Sequence, residues 1–222
     1  MCLRARSSAI PGRCGSRFRT RQAAVGQELP VIGRARSWEQ VPRTLQFVNE
    51  TSLIGRQMQV GLLHEAQHES FIDLLSEVHG FYNNGALISR QTVRDHLLGN
   101  LLGPSSPHCL VVASTADHTA LGFAALTLVF SFVDFDPNQH KHCQLKELYV
   151  RSPYRSAGVG RALMSWVAQF ALDNGCHRID WPVKAANTRG ISFYEELGAA
   201  LVPDRLSYRL VEPALSELAK GA

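Results

Sequence analysis

Hydrophobic and polar residues follow regular patterns from Met58 onward, and these patterns predict the elements of a fold. Apolar runs bounded by polar or glycine-containing turns predict strands, and apolar residues that recur three and four positions apart predict helices. The predicted strands are Gln59–Leu63, Cys109–Ser114, Leu121–Phe132, Gln144–Val150, Arg178–Val183 and Leu206–Val211. The predicted helices are Glu69–Val78, Arg90–Leu98, Val159–Asp173 and Arg189–Leu197.

The order of these elements, β-α-α-β-β-β-α-β-α-β, predicts an α/β fold in which helices cover the faces of a mixed sheet. A polar turn joins the second and third strands, so these two should form a hairpin. With 222 residues, 45% of them hydrophobic, the chain can build one such domain with its own core. We place this domain at residues 58–215.

Residues 1–57 differ in composition from the rest. Ten Arg and three Glu give this leader a net charge of +7, whereas 13 basic and 16 acidic residues give the remainder −3. The basic balance of the chain therefore belongs to the leader and does not indicate a nucleic-acid partner. An Arg-rich, acid-poor N-terminus is typical of a mitochondrial transit peptide. A disordered basic extension, or translated sequence ahead of a start at Met58, explains the same composition, and the choice stays open.

The apolar runs and the cysteines indicate the cellular location of the protein. No apolar run approaches the roughly 18–20 residues that a membrane-spanning helix needs, so we expect no membrane association. Five cysteines are scattered along the chain without a Cys-x-x-Cys pair, a usage typical of free thiols in a reducing compartment. We expect a cytoplasmic protein, or a mitochondrial one if the leader is a transit peptide.

A glycine-containing loop, Arg155-Ser156-Ala157-Gly158-Val159-Gly160, separates the strand Gln144–Val150 from the helix Val159–Asp173. Two glycines at such a turn permit backbone angles and close approaches that a Cβ would forbid. Free amides and the positive end of the helix make the loop a candidate site for a pyrophosphate, to which Arg155 and Arg161 add charge. A plain glycine-rich turn stays open as an alternative. A dinucleotide fingerprint is not complete, because Leu163 stands at its third glycine position.

Several segments around this loop resemble the signatures of one known family. Leu145–Val150, Pro153–Arg155 and Gly158–Gly160 resemble the acetyl-CoA motif of the GCN5-related N-acetyltransferase (GNAT) superfamily, and Asn187 with Phe193–Ala199 resembles its second signature. Within the superfamily, diamine (spermidine/spermine) and thialysine acetyltransferases look most similar, since they share Gly122-Phe123-Ala124.

Two positions depart from the pattern of these relatives. Lys146 stands where diamine acetyltransferases carry an acidic residue, which weakens the case for a polyamine substrate. Pro182 interrupts the strand Arg178–Val183 and removes a backbone donor from it. In the superfamily this strand and the preceding one splay apart to admit the cofactor, so an unpaired edge there can accommodate a proline.

The resemblance implies the GNAT fold, a mostly antiparallel mixed sheet flanked by helices, with acetyl-CoA as co-substrate and no metal. It also implies an N-acetyltransferase acting on a primary amine of a small molecule, such as a polyamine or an amino-acid-like amine. Acetylation of protein amines or aminoglycosides, and a non-catalytic acyl-CoA-binding module on the same fold, stay open. A homodimer also stays open.

The resemblance assigns roles to particular residues. Glu147 is the candidate general base, acting through water on an amine whose pKa is about 10.4, and Tyr194 is the candidate general acid. A solvated strand carboxylate and a core aromatic are the alternatives for these two. The cofactor-binding residues implied are the strand end, the loop and one asparagine: Leu148, Tyr149, Val150, Arg155, Ser156, Ala157, Gly158, Val159, Gly160, Arg161 and Asn187.

His64-Glu65-Ala66-Gln67-His68 matches His-Glu-x-x-His, the motif of zinc metalloproteases. That motif needs a helix that presents both histidines, and this segment falls at a predicted strand-to-helix junction. We therefore expect no zinc site there. His140-Lys141-His142-Cys143 also contains metal-ligand types, but a polar loop over the substrate entrance is the interpretation we favour.

Overall fold

The computed structural model describes residues 44–47 and 58–221. The strands are β1 (Thr44–Phe47), β2 (Met58–Leu62), β3 (Cys109–Ser114), β4 (Ala120–Phe130), β5 (Lys141–Val150) and β6 (Ile179–Asp180). The helices are α1 (His68–Tyr82), α2 (Arg90–His96), α3 (Val159–Asp173), α4 (Thr188–Glu196) and α5 (Ala214–Lys220). Short 3₁₀ turns lie at Glu65–Gln67 and Ser152–Tyr154, and a π turn at Leu97–Leu101 follows α2.

The six strands form one mixed sheet in the order β1-β2-β3-β4-β5-β6. The first four pairings are antiparallel, and β6 joins β5 in parallel. This arrangement agrees with the predicted mixed, mostly antiparallel sheet. The predicted hairpin between β3 and β4 is also present, with Thr115 and Thr119 closing its turn.

The sheet is covered by helices on both faces, and β4 lies at the centre of the core. Residues Ala120–Leu126 of β4 are buried without interruption, which is the pattern of a strand covered on both sides. One face packs against α1 and α2 through a cluster that includes Phe71, Leu97 and Phe123. Helix α3 crosses β2–β5, and its predicted apolar stripe is buried: Val159, Ala162, Leu163, Trp166, Val167 and Phe170.

Several strands differ from the prediction. Strand β5 begins at Lys141 and not at Gln144, so Lys141, His142 and Cys143 pair with β4 and do not belong to the predicted polar loop. The sequence pattern did not predict β1, which lies within the proposed leader and pairs with Met58–Gly61. The rest of residues 1–57, and with it the predicted disorder of the leader, lies outside the described residues. The predicted strand Arg178–Val183 shortens to Ile179–Asp180, in keeping with the missing N–H of Pro182.

The predicted last strand, Leu206–Val211, is wrong, because this segment is irregular and a helix, α5, follows it. Its alternating residues Leu206 and Tyr208 are 78% and 88% exposed. A strand must pair with the edge of a neighbouring strand, and β6, which has only two residues, is too short to pair with this segment. Arg205, at the start of the segment, approaches the carboxylate of Asp180 in β6 at 3.4 Å.

Among the described residues, no helix is both long and apolar enough to cross a membrane.

Candidate active site

A cleft opens where β5 and β6 separate. The two strands pair only through Cys143 with Ile179 and Gln144 with Asp180. Strand β5 then continues six residues further, to Val150, whereas the chain leaves β6 through Trp181-Pro182. The second half of β5 is therefore unpaired on its β6 side, and its backbone groups there can bind a ligand.

A β-bulge on β5 turns Glu147 toward α1. Ala125 of β4 is opposite Glu147, but the next residue of β4, Leu126, is opposite Leu145, so Lys146 is an extra residue on β5. Bulges of this kind re-aim side chains and are common beside active sites. Here the hydroxyl of Tyr82, the last residue of α1, donates a hydrogen bond of 2.9 Å to Glu147 Oε1.

Burial raises the pKa of the Glu147 carboxyl above its usual value. Three groups oppose this effect by stabilising the charged form: the Tyr82 hydroxyl, the backbone N–H of Leu148 and the ammonium of Lys184. The net shift is upward. A carboxylate with a raised pKa is a stronger base than one in water, which suits a group that must accept a proton.

Tyr194 of α4 lies near enough to Glu147 for the two groups to interact electrostatically. Its ring contacts those of Trp181 and Phe193, with centroids 4.9 and 5.3 Å apart. Burial, and secondly the negative charge of Glu147, raises the pKa of the Tyr194 phenol. The phenol therefore stays protonated at neutral pH, which suits a proton donor.

The predicted cradle is a loop with two residues in the left-handed region, Ser156 with φ 62° and Gly158 with φ 83°. The first internal bond of α3 runs from the Ala162 N–H to the Gly158 carbonyl at 3.0 Å. The N–H groups of Val159, Gly160 and Arg161 consequently have no acceptor within the helix. Together with the positive end of the helix dipole, they form an arrangement suited to an anion.

The two cradle residues Arg155 and Gly160 have structural contacts that the sequence did not reveal. Arg155 donates from Nε to the Val150 carbonyl at 2.8 Å, and its guanidinium lies over the rings of Phe81 and Tyr149. It therefore ties the loop to β5 and α1. A Cβ on Gly160 would lie 3.2 Å from the ring of Phe193, so this glycine permits close packing between α3 and α4.

Arg189 brings a positive charge to the cradle, and the sequence analysis missed it. Its guanidinium donates to the Ser156 hydroxyl at 3.0 Å from the first turn of α4. Asn187 caps the same helix, because its Oδ1 accepts from the Gly190 N–H at 3.0 Å. This cap uses the amide oxygen of Asn187 and leaves its NH₂ group as the donor able to reach a ligand.

Two further residues at the cleft, Tyr82 and Lys184, were also missed. Tyr82 lies 65 positions from Glu147 along the chain, so no spacing rule could have paired them. Lys184 follows the short strand β6, and its Nζ lies 5.0 Å from the centroid of the Tyr82 ring.

The histidines of the His-Glu-x-x-His segment do not lie on one helix face. His64 is the N-cap of the 3₁₀ turn, with its Nδ1 accepting from the Ala66 N–H at 3.3 Å and its own N–H donating to the Gln67 side chain at 2.9 Å. Within the described part of the chain, no group of three or more His, Cys, Asp or Glu side chains is arranged to hold a metal ion.

A separate groove of about 550 Å³ runs between α3 and the end of α4. Met164, Leu172 and Leu197 contribute to its apolar lining. It begins at Arg161 and includes Trp181, but neither Tyr82 nor Glu147 lines it. The titratable groups that interact with one another are in the cleft, and we place the candidate chemistry there.

Residues 69–199 match the acetyltransferase (GNAT) family, a span that includes α1, the cleft, the cradle and α4. The chain belongs to the GNAT family. This finding confirms the family inferred from the loop and from the Phe193–Ala199 segment.

Two curated relatives are named for the acetylation of a small amine. The chain is 33% identical over 98 residues to the L-ornithine N5-acetyltransferase NATA1 of Arabidopsis thaliana, covering 42% of this chain and 43% of that protein. It is 29% identical over 93 residues to the thialysine N-epsilon-acetyltransferase of Bos taurus, covering 41% of this chain and 55% of that protein. The chain thus matches about half the length of these relatives.

Solved structures share the fold over most of the described chain. An integron cassette protein from the mobile metagenome of V. cholerae, VCH_CASS6, superimposes with a TM-score of 0.66 at 25% identity, covering 73% of this chain and 98% of that one. AAC(6')-Iy, solved with the bisubstrate analogue CoA-S-monomethyl-acetylneamine, gives a TM-score of 0.53 at 17% identity, covering 69% of this chain and 98% of that one. The second likeness concerns the fold alone.

Proposed function

We propose that this GNAT protein is an acetyl-CoA-dependent N-acetyltransferase whose acceptor is a primary amine on a small, amino-acid-like molecule. The observation that carries the proposal is the cleft between β5 and β6, where a carboxylate with a raised pKa lies near a protonated phenol, next to an anion cradle. A proton acceptor, a proton donor and an anion site are the three parts that acetyl transfer from a CoA thioester to an amine requires.

The residues of the cradle and of the cleft fit acetyl-CoA. The N–H groups of the first turn of α3 can hold a pyrophosphate, and Arg189 and Arg161 supply positive charge beside it. The N–H groups of Leu148 and Val150 on the unpaired part of β5, with the Asn187 amide, can bind the pantetheine arm. When bound, acetyl-CoA supplies an acetyl group activated as a thioester.

Glu147 is the proposed general base. An alkylamine with a pKa of about 10.4 enters as an ammonium ion and must lose a proton before it can attack. The Glu147 carboxylate receives that proton, directly or through a water molecule, and the Tyr82 hydroxyl keeps it oriented. Burial raises the pKa of the Glu147 carboxyl, which makes the carboxylate a stronger base.

Tyr194 is the proposed general acid. Its phenol carries a proton at neutral pH and lies near enough to Glu147 for the two charges to interact. In the proposed role, Tyr194 Oη donates that proton to the departing sulfur, and Trp181 and Phe193 keep the ring in place. The ammonium ion gives up two protons on its way to the amide. Glu147 takes the first and passes it to solvent, and the second, lost from the nitrogen of the tetrahedral intermediate, replaces the proton that Tyr194 gave to the sulfur.

The acceptor class rests on the names of the relatives and on charge. Ornithine and thialysine are amino acids with a primary amine at the end of a short chain, and proteins named for their acetylation match this chain. Glu147 offers a negative charge to such an ammonium group. Lys146 adds a positive charge on β5, which suits a substrate that also carries a carboxylate better than it suits a polyamine.

The test is acetyl-CoA-dependent release of free thiol with L-ornithine, thialysine, spermidine, an aminoglycoside and a lysine peptide as acceptors. We expect the amino acids to be the best substrates by kcat/KM, with a product 42 Da heavier by mass spectrometry. Glu147→Gln, a near-isosteric variant, should lower turnover by roughly 10²–10⁴ without loss of acetyl-CoA binding. Tight acetyl-CoA binding without turnover on any acceptor would instead favour a non-catalytic binding module.

A further inference from the structure

Two charged groups meet at one tyrosine in the cleft. The Nζ of Lys184 lies 5.0 Å from the centroid of the Tyr82 ring, and the hydroxyl of the same ring donates to Glu147 Oε1 at 2.9 Å. The positive charge of Lys184 also lowers the pKa of Glu147, partly offsetting the effect of burial, so the ammonium and the carboxylate interact.

This arrangement has the chemistry of an ammonium-binding site. A cation over the face of a tyrosine is attracted by the ring quadrupole, and a nearby carboxylate adds charge attraction. The side chain of Lys184 is itself a primary alkylammonium, the form in which an amine acceptor enters the cleft. Lys184 is exposed, so its side chain can leave the tyrosine without breaking buried contacts.

We propose that the Tyr82 ring face and the Glu147 carboxylate form the subsite for the ammonium group of the acceptor, and that Lys184 occupies this subsite until an acceptor displaces it. The inference rests on the proposed function for the identity of the ligand, a primary alkylammonium ion. It goes further in assigning a recognition role to Tyr82 and in making Lys184 an internal competitor of the substrate.

The chain allows a direct test that needs no turnover, because it contains only four lysines: Lys141, Lys146, Lys184 and Lys220. Reductive ¹³C-methylation keeps the positive charge of each lysine and gives each a separate NMR signal, which single Lys-to-Met variants assign. A lysine over an aromatic face is shifted by the ring current. Lys141 lies 5.4 Å from the centroid of the Phe130 ring and serves as a ring-stacked control outside the proposed subsite.

We expect the Lys184 signal to be shifted by the ring in the parent protein and to return toward the position of Lys220 in Tyr82→Leu. Titration with n-butylamine, a bare primary alkylammonium at neutral pH, should produce the same return while the Lys141 signal stays in place. A Lys184 signal that starts at the Lys220 position, or that n-butylamine does not move at saturating concentration, overturns the proposal.

Kinetics supply a second readout. If Lys184 occupies the subsite for part of the time, the KM of the acceptor is raised by a factor of one divided by the fraction of molecules whose subsite is free. A cation held by a tyrosine ring at this strength corresponds to a factor of about two to six, so Lys184→Met should lower the KM for L-ornithine about two- to sixfold. Lys220→Met removes the same charge from an exposed position on α5 and should leave the KM unchanged. A KM that rises in Lys184→Met would mean that Lys184 assists the acceptor, and the proposal would be wrong. Absence of turnover in the unmodified protein counts against the proposed function, whereas the NMR titration still decides the subsite.

Discussion

Replacing Tyr82 with phenylalanine tests whether the hydrogen bond to Glu147 sets the basicity of that carboxylate. The variant keeps the ring but removes the hydroxyl that donates to Oε1 at 2.9 Å. This bond stabilises the ionised carboxylate, and its loss leaves the effect of burial less opposed. The pKa of Glu147 should therefore rise further above its usual value in Tyr82→Phe.

The size of the shift follows from the strength and the exposure of the bond. A hydrogen bond to a charged group contributes about 1.5–3 kcal/mol, and one pKa unit corresponds to about 1.4 kcal/mol. Tyr82 is 45% exposed, so water replaces part of the lost bond and the lower end of this range applies. We expect the pKa of Glu147 to rise by about one unit.

The assay is the pH dependence of kcat/KM for one amine, measured in the parent protein and in Tyr82→Phe. Glu147 must be ionised to accept a proton, so activity falls as pH drops through its pKa, and the acid limb should move about one unit toward higher pH. The ionisation of the amine is the same in both profiles and cancels in their ratio. Tyr149→Phe removes a similar phenol, which donates to Glu77 at 2.9 Å, and should leave the limb in place. An unmoved limb in Tyr82→Phe, or a move to lower pH, would refute the assignment of Glu147 as base.

Four further predictions concern other parts of the site and the fold. Tyr194→Phe should lower kcat by roughly 10²–10⁴ with little change in Tm, and turnover within about twofold of the parent would remove this phenol from the mechanism. A Cβ at position 160 would lie 3.2 Å from the Phe193 ring, so Gly160→Leu should destabilise the fold by about 1–3 kcal/mol and lower Tm and acetyl-CoA affinity together. Weaker binding at an unchanged Tm would contradict this packing role. Burial raises the pKa of Glu147 in the folded state, so the ionised carboxylate destabilises the fold once the pH rises through that pKa. Glu147→Gln removes this charge and should raise Tm at pH 7 by a few degrees. Below pH 4, where the carboxyl is protonated, the variant should not raise Tm. Deletion of residues 1–57 removes the strand that pairs with β2 and should lower Tm relative to the full chain while leaving acetyl-CoA binding intact; an unchanged Tm would show that this pairing does not stabilise the domain.

Elements with strong local periodicity were predicted well from the sequence. The helix Val159–Asp173 has the predicted bounds, because its buried stripe repeats with the helical period and Asn174-Gly175 ends it. Strand β3 also agrees with the prediction, since its apolar run is bounded by turn residues. The loop before α3 was recognisable because two glycines and a resemblance to a family motif coincide there.

The two strands that the sequence predicted wrongly share a physical cause: whether each forms depends on a partner strand elsewhere in the chain. Strand β1 exists through its pairing with β2, and the pattern of its own four residues does not predict it. The segment Leu206–Val211 alternates as a strand should, yet it remains irregular because β6 is too short to pair with it. A strand is stabilised by pairing with its neighbour, so its own sequence pattern does not by itself predict whether it forms.

The sequence by itself determined the family and the fold class, and it proposed Glu147, Tyr194 and the cradle loop as site residues, because each of these inferences depends on local order along the chain. Only the tertiary structure decided how these groups work together. The bulge at Lys146 turns Glu147 toward α1, the end of α1 brings Tyr82 to it, and the short strand β6 opens the cleft from which Lys184 reaches the same ring. The pKa of Glu147 depends on burial, on a hydrogen bond from Tyr82 of α1 and on the charge of Lys184 after β6, and proximity between these segments exists only after the chain has folded.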